Sequence, residues 1–283
     1  MPHIQHHHPA YRPRAVPARG YIVIWRRDPA SRSGPARAYC PAVPAEQQSP
    51  TPTPDFETVF GQVREIGGWL TQAQARALWD EARPVPAGDL IVEIGSHQGR
   101  STVVLAAAAP QAKVIAIDPF VDGAMFGGLA TRDRFQANLE RTGLAGRVEL
   151  RQAKSTQLRR SWTEPIGFLY IDGKHDYWTL SDDLRWSEFL PDGARVCIHD
   201  AYSSIGVTLG LLRHVLPSRR LRYLDRTGSL ARFEVAPVSA ADRLRILAEL
   251  PWWLRNVGVK VLLRLRLYPL ARLVGHHDRA DPY

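Results

Sequence analysis

From residue 89 onward, short apolar runs alternate with longer stretches in which apolar residues recur every three or four positions. The first kind reads as buried strands and the second as helices laid against them. Strands are expected at 89–94, 113–118, 147–152, 166–172 and 194–200. Helices are expected at 99–108, 130–142, 177–190 and 204–215, with a short one at 155–162. Such alternation, with strands that are apolar almost throughout, implies a parallel sheet covered on both faces. After 215 the pattern changes, and RRLRYLDRTGSLARFEV (219–235) holds two strand-like runs joined around Arg226-Thr227-Gly228, a hairpin signal. Residues 55–82 read as helical, and Thr71 followed by Gln74 makes a capping box before ARALWDEA.

The two ends of the chain differ from this core. Residues 1–54 carry His6, His7 and His8, scattered proline and the run SPTPTP, with one apolar piece at 21–25. They offer too little apolar area to offset their ordering entropy and are expected to be a disordered tail. Residues 55–236 form the expected α/β domain, and 237–283 a basic C-terminal extension. Within 251–275, Leu254, Val257, Val261, Leu265 and Tyr268 share one helical stripe, with Arg255, Lys260, Arg264 and Arg266 off it and Pro269 set to break the helix. A basic, Trp-bearing segment of this kind suits peripheral contact with an anionic membrane, or docking on its own core or on a second copy in a homo-oligomer.

Charge and cysteine usage narrow the function classes. The net charge of +9 sits at the ends, with +5 in 1–54 and +4 in 251–283, while 55–250 hold 24 residues of each sign. The core therefore has no basic excess to follow a phosphate backbone, and no nucleic-acid partner is expected. Cys40 and Cys197 cannot build a disulfide framework, which points to a reducing compartment. No apolar run reaches transmembrane length and the N-terminus lacks the apolar core of a signal peptide, so a cytoplasmic location is expected.

Open α/β sheets bind ligands at the carboxyl ends of their strands. The first strand ends in LIVEIGSHQGRS (90–101), which presents Glu93, Gly95, Ser96 and Gly99. A dinucleotide fingerprint, Gly-x-Gly-x-x-Gly, is missing, which counts against the alternative of an NAD(P)-dependent oxidoreductase on a Rossmann-like sheet. The second strand delivers Asp118, an acid able to accept hydrogen bonds from a ribose diol. Ser155 follows the third strand, Asp172 and His175 the fourth, and His199 and Asp200 the fifth. Asp172 and Asp200, on neighbouring strands, would lie side by side and repel unless a cation or a proton sits between them.

The acidic-x-Gly-x-x-x-Gly pattern of Glu93, Gly95 and Gly99 resembles the first motif of class I S-adenosylmethionine-dependent methyltransferases. That resemblance implies a seven-stranded Rossmann-like sheet of order 3-2-1-4-5-7-6 with the last strand antiparallel. It also implies cofactor contacts from Glu93, Gly95, Ser96, Gly99, Asp118 and Ser155. The phrase IDGKHDY (171–177), then Asp183, then LPDGARVCIHDAY (190–202) resembles the metal-dependent O-methyltransferases that include macrolide sugar enzymes, over roughly 88–235. By that resemblance Asp172, His199 and Asp200 hold magnesium, or manganese given the imidazole of His199, and the acceptor is a hydroxyl of a sugar or glycosylated small metabolite. His175, an imidazole that titrates near neutrality, is the candidate base, with capping of the following helix as its other reading. Tyr177 and Asp183 read as packing and helix-surface residues. The glycine- and aromatic-bearing loop 119–130 reads as a lid or as a plain connection.

Overall fold

A computed structural model describes residues 55–122 and 127–276. The expectations for 1–54 and for the middle of the 119–130 loop fall outside the described residues. Seven strands form one sheet: β1 (Leu90–Ile94), β2 (Lys113–Ile117), β3 (Val148–Arg151), β4 (Phe168–Ile171), β5 (Arg195–Ile198), β6 (Leu221–Thr227) and β7 (Leu230–Val235). Their order is β3-β2-β1-β4-β5-β7-β6, with β7 antiparallel to both of its neighbours. This is the architecture of the class I methyltransferase fold.

Alternation along each strand divides the core in two. Ile91, Val114, Ala116, Phe168, Tyr170 and Cys197 face one side, where they pack against α1 (Phe56–Val63), α2 (Gln72–Ala82) and α3 (Arg100–Ala108). Leu90, Val92, Ile94, Leu169, Ile171, Val196 and Ile198 face the other, with Leu180, Leu184, Trp186 and Val207. Burial on both faces is what makes these strands continuously apolar. On the first face α4 (Gly128–Arg141) adds Phe135. The box anticipated at Thr71 and Gln74 caps α2.

The helices after β3 are shorter than the sequence suggests. The stretch 155–162 forms α5 (Ser155–Leu158) and a 3-10 turn. The stretch 177–190 is α-helical only over α6 (Tyr177–Asp183) and then tightens to 3-10 geometry through Phe189. There the Ser187 hydroxyl donates to the Leu184 carbonyl at 2.7 Å, a local bond that competes with the α-helical ladder. Likewise α7 (Ile205–Gly210) continues as a π turn over Leu211–Val215. Three helices end the described chain: α8 (Ala240–Ala248), α9 (Leu250–Arg264) and α10 (Tyr268–Leu273).

Candidate active site

The carboxyl ends of β1, β2, β4 and β5 meet along one edge of the sheet. Between β1 and α3 the chain turns with Gly95 at φ 91° and Gly99 at φ 87°, a region that glycine enters without strain. Gly95 has a second constraint, because a Cβ there would overlap the carbonyl of Asp172 and lie 2.8 Å from Gly173 Cα. Its bare Cα lets the end of β4 close against the turn.

Glu93 works from beneath this turn. Its carboxylate accepts the Ser101 hydroxyl at 2.5 Å and the Thr102 hydroxyl, tying β1 to the first turn of α3. It has no exposed surface, so its sequence-based place among the cofactor contacts gives way to a bracing position under the turn. Burial pushes its pKa up to about 7, against the pull of those hydroxyls.

Asp118 reaches the same turn from β2. Its Oδ2 accepts the backbone N–H groups of Ser96 at 3.1 Å and His97 at 2.9 Å, and its Oδ1 accepts that of Phe120 at 2.8 Å. Among the described residues one lone pair of Oδ1 is unengaged, so a ribose diol would find one acceptor here where the sequence suggested two. Ser155 points inward, donating to Asp183 Oδ1 at 2.5 Å. Asp183 is itself buried rather than on the helix surface, and burial raises its pKa to about 7. Trp69 is a neighbour that no motif flagged: its ring centroid lies 5.7 Å from that of His97, in a loop held by the Arg100 guanidinium, which donates to the Gly68 carbonyl at 2.9 Å.

Asp172, His175, His199 and Asp200 form one cluster at the ends of β4 and β5. The His175 ring contacts both acids, with Nδ1 against Asp200 Oδ2 and Nε2 3.5 Å from Asp172 Oδ1. His199 Nδ1 lies 3.1 Å from Asp172 Oδ1 and 3.6 Å from Asp200 Oδ1. These are ion-pair distances without hydrogen-bond alignment, and among the described residues neither buried ring nitrogen of His199 has an aligned hydrogen-bond partner. The Tyr170 hydroxyl donates to Asp172 Oδ2 at 2.9 Å. Asp200 sits at φ 55°, and its carbonyl and Oδ1 both accept the Ser203 hydroxyl. Such positive φ in a residue with a side chain persists only where its surroundings hold it.

Helix capping falls to a different residue from the one considered in the sequence. Asp176 caps α6, accepting the Thr179 N–H at 2.9 Å, which leaves His175 free to face the acids. Ser204 donates to the His175 carbonyl at 2.9 Å, and Gly206 presses α7 against the backbone of 175–177.

The electrostatics follow from the packing. Burial alone would raise Asp172, but the charge of His199 and the hydrogen bond from His175 outweigh it and hold the carboxyl well below its ordinary range. Burial opposes a charge on His175, yet bonds to Asp172 and Asp200 push its pKa up to about 10. His199 is raised and Asp200 lowered by the same mutual contacts. The imidazoles thus neutralise the acid pair. As a chemical set, two carboxylates and a buried imidazole would suit a divalent cation of intermediate softness. In their present arrangement the His175 ring bridges the acids, and among the described residues no group of three or more His, Cys, Asp and Glu is placed to hold a metal ion.

Comparison with known proteins agrees with this geometry. A family model described as a methyltransferase domain matches residues 92–201, the span from β1 to the turn after Asp200. Among solved structures, a Corynebacterium glutamicum protein superposes with a TM-score of 0.52 at 11% identity, covering 65% of this chain and 92% of that one. The methyltransferase PaMTH1 of Podospora anserina, solved with S-adenosylhomocysteine, gives a TM-score of 0.51 at 10% identity over 65% of this chain and 88% of its own. A proposed O-methyltransferase from Klebsiella pneumoniae gives 0.50 at 18% identity over 67% and 92%. At these identities the structures establish the fold, and the domain match does not favour the oxidoreductase alternative. The glycine turn at β1, the acid at the end of β2 and the titratable cluster above β4 and β5 thus lie inside a span that matches a methyltransferase domain, on a sheet with the class I methyltransferase fold.

Proposed function

We propose that the chain methylates a hydroxyl of a small acceptor, a sugar or a glycosylated metabolite, at the cluster of Asp172, His175, His199 and Asp200. The observation that carries this reading is the His175 imidazole, in contact with carboxylates from two neighbouring strands yet the most exposed ring of the cluster, at 42% against 5% for His199. The bound donor supplies a methyl group already activated by sulfonium charge. The protein's share is to align the acceptor oxygen and to receive its proton. Asp200 holds Nδ1, which leaves Nε2, 3.5 Å from Asp172 Oδ1, as the ring nitrogen that receives the proton. As the oxygen–methyl bond forms and the sulfur–methyl bond breaks, the hydroxyl proton passes to Nε2 and the thioether leaves uncharged. Trp178, exposed in the first turn of α6, offers an aromatic face suited to a sugar ring.

A second reading adds a divalent cation, favoured by the buried His199 ring nitrogens, which have no aligned hydrogen bond among the described residues. Asp172, His199 and Asp200 would hold it, and it would lower the pKa of a coordinated hydroxyl. Methyl transfer to a panel of free and glycosylated sugars, followed by mass spectrometry with chelator and with added manganese, tests both readings. Product formed in chelator supports His175 acting alone, and product only with manganese supports the cation. Failure of every hydroxyl acceptor, with methyl transfer to another class of acceptor, would overturn the proposal.

A further inference from the structure

We infer that α9 and α10 form a foot that binds the surface of an anionic lipid bilayer. One face of α9 is committed to the core. Asn256 and Val259 are buried, Asn256 donates to the Tyr202 carbonyl at 3.2 Å, and Lys260 donates to the Ser203 carbonyl at 2.7 Å. Trp252 packs under the Arg226 guanidinium, 3.7 Å from ring centroid to Cζ.

The opposite face meets water with large apolar groups. Leu254, Val261 and Leu265 lie on one stripe, with Leu254 and Leu265 each 62% exposed. The Arg255 guanidinium donates to the Val274 carbonyl at 2.8 Å, so α10 folds back along α9 and brings Val274 and Leu273 beside the Leu254 end. Leu273 is 82% exposed, and Leu267 and Leu270 are exposed with it. Scattered apolar residues on a surface need no explanation, but a clustered set of this size marks a partner.

Charge identifies the partner. Between 250 and 276 there is no acidic residue, while Arg255, Lys260, Arg264, Arg266 and Arg272 fall within that span. Arg264, Arg266 and Arg272 are exposed and make no ion pair among the described residues. Leucines flanked by unpaired arginines match the boundary between acyl chains and anionic headgroups. A second copy docking the same face on itself would set arginine against arginine, which disfavours a symmetric dimer here. No helix among the described residues is long and apolar enough to cross a membrane, so the contact is one of lying on the surface. The foot also abuts the site, because Tyr202 and Ser203, which Asn256 and Lys260 hold, lie two and three residues beyond Asp200.

Flotation of the full chain with phosphatidylcholine vesicles, with and without phosphatidylglycerol, tests this. The chain should float with the anionic vesicles, stay behind with the neutral ones, and lose binding as salt rises. Arg264→Gln/Arg266→Gln/Arg272→Gln should weaken binding on the order of a hundredfold. Leu265→Glu/Leu273→Glu should abolish it. Circular dichroism melts matching wild type would show that both variants fold, since all five positions are exposed. No flotation of wild type, or flotation of both variants as strong as wild type, would overturn the inference. So would a dimer in light scattering that the leucine variant dissociates while vesicles capture nothing.

Discussion

The bare Cα of Gly95 faces the carbonyl of Asp172 so closely that no side chain fits between them. One glycine thereby joins the two halves of the site: the turn proposed to receive the methyl donor and the strand end that carries the first acid of the cluster. A Gly95→Ala substitution meets that carbonyl and also forces alanine to φ 91°. It should lower stability by roughly 2–4 kcal/mol and weaken S-adenosylhomocysteine binding as well. Thermal melts and calorimetry on the variant check both, and a variant with wild-type stability and affinity would contradict the close-approach account.

Glu93 gives a pH signature. Its pKa moves from an ordinary 4.5 to about 7 on burial, so the folded state binds this proton more tightly than the unfolded state. The resulting stabilisation is complete below about pH 4.5 and is lost as pH rises through about 7. On the order of 3 kcal/mol of stability should fall away across that window. Glu93→Gln keeps the size of the side chain and removes the titration. Urea denaturation of the variant at several pH values should show this slope flattened relative to wild type.

Much of the fold was legible because each strand is short, apolar and bounded by turn residues, and because the hairpin around Arg226-Thr227-Gly228 announces itself locally. The convergence of Asp172 and Asp200 was legible for a related reason: strand ends sit where topology puts them. What escaped depends on side-chain direction. The alternation that buries Ile91 also sends Glu93 under α3, to Ser101 and Thr102, although motif spacing alone sets it beside the cofactor. Asp183 reads as a helix-surface acid until α5 supplies Ser155 as its partner from 28 positions away. Trp69 belongs to no motif, and only the packing of its loop on His97 and Arg100 brings it to the glycine turn.

His175 should set the pH dependence of methyl transfer. Asp172 and Asp200 hold its ring protonated, with a pKa of about 10, and a base must first lose that proton. In chelator, kcat/KM should therefore climb on the alkaline side of neutrality. Asp200→Asn removes one of the two carboxylates, lets the His175 pKa fall back towards 6.5, and should shift this limb to lower pH. An unmoved limb would remove His175 from the proton-accepting role.

Tyr170 lies inside the sheet, yet its hydroxyl is the donor to Asp172 Oδ2. Tyr170→Phe should leave S-adenosylhomocysteine affinity unchanged and reduce kcat by roughly ten- to a hundredfold, because the carboxylate loses the bond that fixes its orientation. A net hydrogen bond of this kind contributes about 1.5–3 kcal/mol when one partner is charged. A comparable loss in cofactor affinity would instead assign Tyr170 to the general packing of β4.

In the proposed reaction Asp172 and its neighbours serve the transfer step while the turn at Gly95 serves the cofactor. Asp172→Asn, nearly isosteric, separates the two when calorimetry with S-adenosylhomocysteine and a methyl-transfer assay are run on the same preparation. Cofactor affinity should stay within a few-fold of wild type, and turnover should fall by about two orders of magnitude or more. Wild-type turnover in that variant would contradict the assignment of the cluster to catalysis.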